Sequence, residues 1–181
     1  MAKKFSLYFL FILLSQNFVK AQEKRILTLE EKQTAAVTVY SIFSQFVVTS
    51  KLQKQGLNGI SEQQERLFLE LFEPNAIVWD DLTPFDFPDK TEKNSKKTVE
   101  KLVADYKKYF PGGLIVRILK SNINFDNLAD NDVRIVIQRN ISGKYPGKYF
   151  ITNEGAVLEL VIKMSEDFTK GKITEIIKIV G

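Results

Sequence analysis

The chain has 181 residues, 26 of them basic and 22 acidic, for a formal charge of +4, and it contains neither cysteine nor histidine. Without cysteine there is no disulfide, thiol chemistry, thiolate zinc site or cysteine-linked lipid anchor. Without histidine the commonest general base and metal ligand are missing, and with them every Ser-His or Cys-His nucleophile pair. Three of the lysines (Lys3, Lys4 and Lys20) lie in an acid-free N-terminal stretch, so from residue 22 onward 23 basic residues face 22 acidic ones. That excludes the basic excess on which nucleic-acid binding depends.

The first 21 residues have the layout of a signal peptide. Lys3 and Lys4 precede a ten-residue run, residues 5–14, in which only Ser6 is polar. Val19-Lys20-Ala21 then puts small side chains at −3 and −1 of a cut before Gln22. A membrane-spanning helix needs about 20 apolar residues, twice what this run supplies. The expectation is therefore export to the periplasm or beyond, with cleavage at Ala21–Gln22, no stable membrane span afterwards, and one α+β domain over residues 22–181. A domain of that size buries roughly 70% of its unfolded surface and needs no staple.

Residues 22–27 read as a short extended lead. Thr28-Leu29-Glu30-Glu31 is a capping box that opens a helix running to about residue 52, with Ala36, Tyr40, Phe43 and Val47 as an apolar stripe. Gly56 and Asn58-Gly59 end it. Ser61 and Gln64 open a second helix, whose buried face is Leu67, Phe68, Leu71 and Phe72, with Pro74 as its stop. Residues 76–80 form a short apolar strand, and residues 82–97 a long loop. A third helix spans residues 98–110, with Val99, Leu102, Val103, Tyr106 and Phe110 on one side, and Pro111-Gly112-Gly113 after it. The period then changes to two. Residues 114–125, 133–141, 155–165 and 172–180 are strands joined by turns short enough to make neighbours antiparallel. In the third of these, Leu158, Leu160, Ile162 and Met164 alternate with Val157, Glu159, Val161 and Lys163, so one face packs and the other meets water.

Helices, a strand, a helix and a run of four strands form a pattern that resembles the nuclear transport factor 2-like superfamily (SnoaL-like, the cystatin-like cone). The resemblance rests on residues 67–72 leading into Ala76-Ile-Val-Trp-Asp-Asp81, on the helix 98–110 with Pro111-Gly112, and on the four strands after it. It implies helices packed on a strongly curved, mainly antiparallel sheet, with a pocket at the open mouth of the cone. It also implies a choice of roles, since some members are cofactor-free lyases or isomerases and others bind or dimerise without chemistry. Where enzymatic members pair Asp with His, this chain has no His to supply.

Five residues are candidates for lining such a pocket. Trp79 and Asp81 sit at its expected rim. One carboxylate there serves as a general base if its surroundings are apolar, but consecutive strand residues face opposite ways, so Asp80 and Asp81 do not share one pocket. The alternative reading has both acids capping the turn before Pro84, with Trp79 in the core. Tyr40 and Tyr106 lie on helical stripes and either present a hydroxyl to a ligand or serve the core. Arg117 interrupts an apolar strand; facing inward it needs an anion, and facing outward, the default, it is merely solvated, as are Arg134 and Glu159. Pro84-Phe-Asp-Phe-Pro88 is either a lid or partner contact or a pair of tucked rings. Asp126, Asp130 and Asp132 fit a hairpin turn better than a calcium loop, and Gly143–Lys148 fails as a phosphate loop. No cofactor or metal site is expected. The function expected is an exported, non-catalytic domain that binds a small apolar or amphipathic ligand, or a protein partner. The alternatives are a cofactor-free enzyme with an Asp base and an assembly module that forms a homodimer through an apolar sheet face.

Overall fold

Helix α1 (Leu29–Thr49) begins at the capping box. Thr28 Oγ1 accepts from the Glu31 amide at 3.2 Å, and a Glu31 carboxylate oxygen accepts from the Thr28 amide at 2.8 Å. The computed structural model describes residues 25–50, 61–81, 95–144 and 150–179. The signal-peptide segment, Gly56 to Gly59, the Pro84–Pro88 motif and most of Gly143–Lys148 lie outside them.

The buried stripe of α1 is Ala35, Val39, Ile42 and Phe46, one residue before the expected set. Tyr40 is 57% exposed, and Ala36, Phe43 and Val47 are half-buried. Both sets step by four, three and four, because α1 is apolar around much of its circumference. Spacing alone therefore left two possible rotations of the helix.

Helix α2 (Glu62–Leu69) starts at Ser61, whose hydroxyl accepts from the Gln64 amide at 3.2 Å. It ends at Leu69, before the expected stop at Pro74, and strand β1 (Phe72–Trp79) begins earlier than expected. Pro74 and Asn75 interrupt the β1–β6 pairing between Phe72 and Ile77, with Asn75 at φ 70°. Proline is tolerated where a ladder is already broken, and asparagine tolerates a left-handed backbone, so the breaker marks a bulge in a strand. Leu67 turns outward at 41% exposure, while Phe68, Leu71 and Phe72 are buried. Phe68 packs edge-on against Phe72, with ring centroids 5.1 Å apart.

The end of the expected loop carries a three-residue strand, β2 (Lys96–Thr98), antiparallel to β1. Helix α3 (Val99–Tyr109) follows with Thr98 as its N-cap, and all five residues expected on its inner side are buried. Then come β3 (Leu114–Asn124), a 3-10 turn at Leu128–Asp130, β4 (Asp132–Lys144), β5 (Phe150–Met164) and β6 (Gly171–Lys178). The sheet order is β2-β1-β6-β5-β4-β3. Strands β3 to β6 pair antiparallel in succession, as their short connections require; β2 pairs antiparallel with β1 across the long loop, and β1 lies parallel to β6. Leu158, Leu160, Ile162 and Met164 face the core, as the alternation demanded.

Two of the register slips in the sheet abut the same residue of β4. On the β3 side the register slips between Ile118, opposite Arg139, and Lys120, opposite Gln138. On the β5 side it slips between Arg139 and Ile141, where Gly155 adopts φ 71° and its amide donates to Asn140 Oδ1 at 2.8 Å. An extra residue on each neighbour sharpens the local twist and re-aims the side chains there, beside the buried Arg139.

Candidate functional site

The site begins where β1 ends. Asp80 and Asp81 leave Trp79 in succession and go to separate cations, both away from water. Asp80 is fully buried, and its Oδ2 lies 2.7 Å from Lys97 Nζ on β2. Lys97 also donates to Asp105 Oδ2 of α3 at 2.6 Å, so one ammonium ties the sheet edge to the helix. Burial disfavours its charge, but the bonds to Asp105 and Asp80 outweigh that and raise the Lys97 pKa above its ordinary value.

Asp81 is 8% exposed and meets Arg139, which is 5% exposed. Arg139 Nε donates to Oδ2 at 2.9 Å and Nη2 donates to Oδ1 at 2.5 Å, a two-pronged contact that fixes both planes. The two acids therefore part as strand geometry requires. They are buried ion-pair partners; the turn before Pro84 lies outside the described residues, and Trp79 is buried.

Tyr106 is held from the other side. Its hydroxyl accepts from the Leu114 amide at 2.8 Å, pinning α3 to the start of β3 across Pro111-Gly112-Gly113. Burial pushes the phenol pKa up, against the pull of that hydrogen bond. The ring stays neutral, with an acceptor lone pair already in use. Trp79, 8% exposed, lies under Lys178, whose Nζ is 5.5 Å from the ring centroid.

Phe46, Phe68, Trp79, Tyr106, Arg139 and Ile176 are among the side chains around a void of about 20 Å³. That is room for one water. A guanidinium carries five N–H groups, and Asp81 takes two of them, so the group that lines the void retains donor capacity. Ser50, at the end of α1, contributes a further hydroxyl to the lining.

Of the five sequence candidates, the structure gathers Trp79, Asp81 and Tyr106 around one interior, with Asp81 acting through Arg139. It leaves two outside. Tyr40 faces away from the sheet on α1, and Arg117 is exposed on β3, its default placement. Arg134 and Glu159 are on the outer sheet face too, paired across strands at 2.7 Å. Sequence reading missed Arg139, Lys97 and Asp105. The signal for Arg139 was present: Val133, Ile135, Ile137, Arg139 and Ile141 share one parity on β4, so a charge falls on the buried face.

Chemically, the arrangement is one of neutralised pairs. Both Asp81 oxygens accept from Arg139, and Asp80 and Asp105 converge on Lys97, so withdrawing a substrate proton with any of these carboxylates means breaking an ion pair. Among the described residues no group of acidic side chains is arranged to hold a metal ion. Nor is any helix there long and apolar enough to cross a membrane. In the β3–β4 turn, Asp132 pairs with Lys163 at 3.0 Å and Asn131 takes φ 61°, the geometry of a hairpin turn.

No family model matches the chain, and no curated protein matches it. Solved structures do. A hexachlorocyclohexane dehydrochlorinase (LinA), type 2, aligns over 85% of this chain and 95% of its own, with TM-score 0.56 and 10% identity. A protein assigned as a scytalone dehydratase, from Novosphingobium aromaticivorans, aligns over 84% of this chain and 89% of its own, with TM-score 0.51 and 8% identity. The fold is thus the nuclear transport factor 2-like, SnoaL-like cone that the order of elements resembled.

Proposed function

We propose that this cone is an exported, non-catalytic binding domain whose interior takes a small amphipathic molecule, with Arg139 as the group that recognises it. The observation that carries the reading is Arg139 itself: 5% exposed, only partly spent on Asp81, and set among aromatic and aliphatic side chains around the void. Ligand sites combine an apolar lining with few, well-placed polar groups, and this interior has that composition. A molecule that presents one acceptor oxygen to the guanidinium and an apolar body to Trp79, Phe46 and Phe68 matches it. Since the void is about 20 Å³, such a molecule enters only as the surrounding side chains give way. The Lys3-Lys4 start, the apolar run and the Val19-Lys20-Ala21 end support export.

Binding without turnover is favoured over proton chemistry because each buried carboxylate among the described residues is committed to a cation. The test is a melting-temperature screen of the purified protein against amphipathic carbonyl and carboxyl compounds, repeated with Arg139→Met, alongside assays for elimination and isomerisation of the same compounds. Stabilisation of the wild type that Arg139→Met abolishes, with every compound recovered unchanged, supports the reading. Turnover lost in Asp81→Asn refutes it and assigns Asp81 as a base.

A further inference from the structure

Helix α1 is uncharged on two sides, and only one of them is used by the core. Residues 33–50 contain no charged side chain, eighteen positions in a chain that is 27% charged. Yet the helix lies at the surface. At 100° per residue, Val37, Ser41, Ser44 and Val48 run along its outward midline, and all four are exposed. Val37 is 71% exposed, Val48 65% and Tyr40 57%. Beside them the half-buried Ala36, Phe43 and Val47 carry the apolar surface around the helix. At Ala36 the uncharged surface ends at an open groove of about 460 Å³ whose lining includes Arg25, Lys32 and Asp126 beside Ile26 and Phe125.

The outer face of the sheet is different. It holds Ile115 and Leu119 exposed, but also Arg117 and the pairs Arg134–Glu159 and Lys163–Asp132. Loss of charge with retained aromatic and aliphatic side chains marks the centre of an interface. By that criterion α1, and not the sheet, is the uncovered face.

A surface without charges needs an occupant without charges opposite it, since an unpaired charge in the contact would be desolvated. A second copy of α1 meets that requirement. We infer that two copies of this chain associate through α1, antiparallel, about a two-fold axis passing between Ser41 and Ser44. In that arrangement Val37 of each copy meets Val48 of the other, and the serines, having small side chains, let the helices approach closely. The uncharged span is about 27 Å long and about 10–12 Å wide. In projection that is about 300 Å² per copy, about 600 Å² in total, below stable specific interfaces and within the range of weak, transient ones. The dimer is therefore reversible, forming and dissociating with concentration. A lipid surface fits less well, because helices that lie on membranes carry lysine or arginine along their polar face and this span has none.

The experiment is velocity sedimentation of the purified protein over a dilution series, with three variants. The wild type shifts from monomer to dimer as concentration rises. Val37→Glu and Val48→Lys each weaken association about tenfold or more, with unchanged melting temperature, because each puts a charge opposite a valine. Val37→Glu/Val48→Lys together restore it, since the two-fold sets glutamate against lysine twice. A wild type that stays monomeric throughout overturns the inference. So does a dimer indifferent to Val37→Glu but dispersed by Ile115→Glu on the sheet. Binding to phosphatidylcholine–phosphatidylglycerol vesicles in place of self-association overturns it as well.

Discussion

Replacing Asp81 with alanine strips Arg139 of both its carboxylate contacts while leaving the guanidinium where it is, 5% exposed beneath Trp79 and Tyr106. Breaking a buried ion pair from one side costs about 3–5 kcal/mol, because the surviving charge remains desolvated. In a domain of this size each kcal/mol moves the melting temperature by about 2–4 °C, so Asp81→Ala should lower it by roughly 6–20 °C. Removing both charges is a different perturbation. Asp81→Leu/Arg139→Met replaces the pair by apolar groups and should recover most of the loss, since apolar replacements of buried pairs are often neutral or stabilising. Thermal unfolding by circular dichroism and urea titration measure both, and the urea slope should be the same for all variants. A loss under about 1 kcal/mol for Asp81→Ala would mean that the pair is solvated, as surface pairs are. A double variant as unstable as the single one would mean that shape, not charge, holds this corner.

Three further perturbations test the frame around that pair. Tyr106→Phe keeps the ring but leaves the Leu114 amide without its acceptor, and should cost about 1–3 kcal/mol by urea denaturation. Gly155→Ala forces a side chain into φ 71° at the bulge beside Arg139 and should cost about 1–2 kcal/mol by the same measurement. The pH dependence has a sign at each end. Glu31 is lowered from 4.5, chiefly by its bond from the Thr28 amide, and Asp167 from 3.8 to about 2, chiefly by its bond from Ser165. Depressed carboxyls contribute stability above their unfolded values, and it is lost as pH falls. Melting temperature should therefore drop from pH 4.5 downward to about pH 2, and less steeply in Asp167→Asn. Lys97 is raised, so its contribution is complete below 10.5 and disappears as pH climbs past that value, an alkaline loss that Lys97→Met should remove.

What was legible in the sequence follows from which patterns admit one answer. Period two admits only two faces, and in β5 one of them, Leu158 to Met164, is uniformly apolar, so its orientation was readable. In α3 a single apolar side left one choice. In α1 two stripes have identical spacing, and the packing of Ile42 near Gly171 of β6 decided between them, which no local pattern records. The same ambiguity left Tyr40 outside, and the set that sequence reading placed inward became part of the surface from which self-association is inferred. Pro74 was read as a helix stop because proline breaks both helices and ladders. Only the slipped pairing with β6 shows which one it broke here. For the interior, Trp79, Asp81 and Tyr106 were found as residue types suited to a rim. Arg139 was within reach through its parity with Ile137 and Ile141. Lys97 was not, because its role depends on Asp105 approaching from another element, and that proximity exists only once α3 packs beside β1 and β2.

The most direct test of binding at Arg139 is a native mass spectrum of the protein recovered after export from a bacterial host, taken for the wild type and for Asp81→Leu/Arg139→Met. The prediction is a wild-type chain beginning at Gln22 and carrying a small-molecule adduct, and a folded double variant of the same length without it. An uncut chain would contradict the export reading. An adduct retained by both proteins, or by neither, would contradict the assignment of Arg139 as the group that holds the ligand.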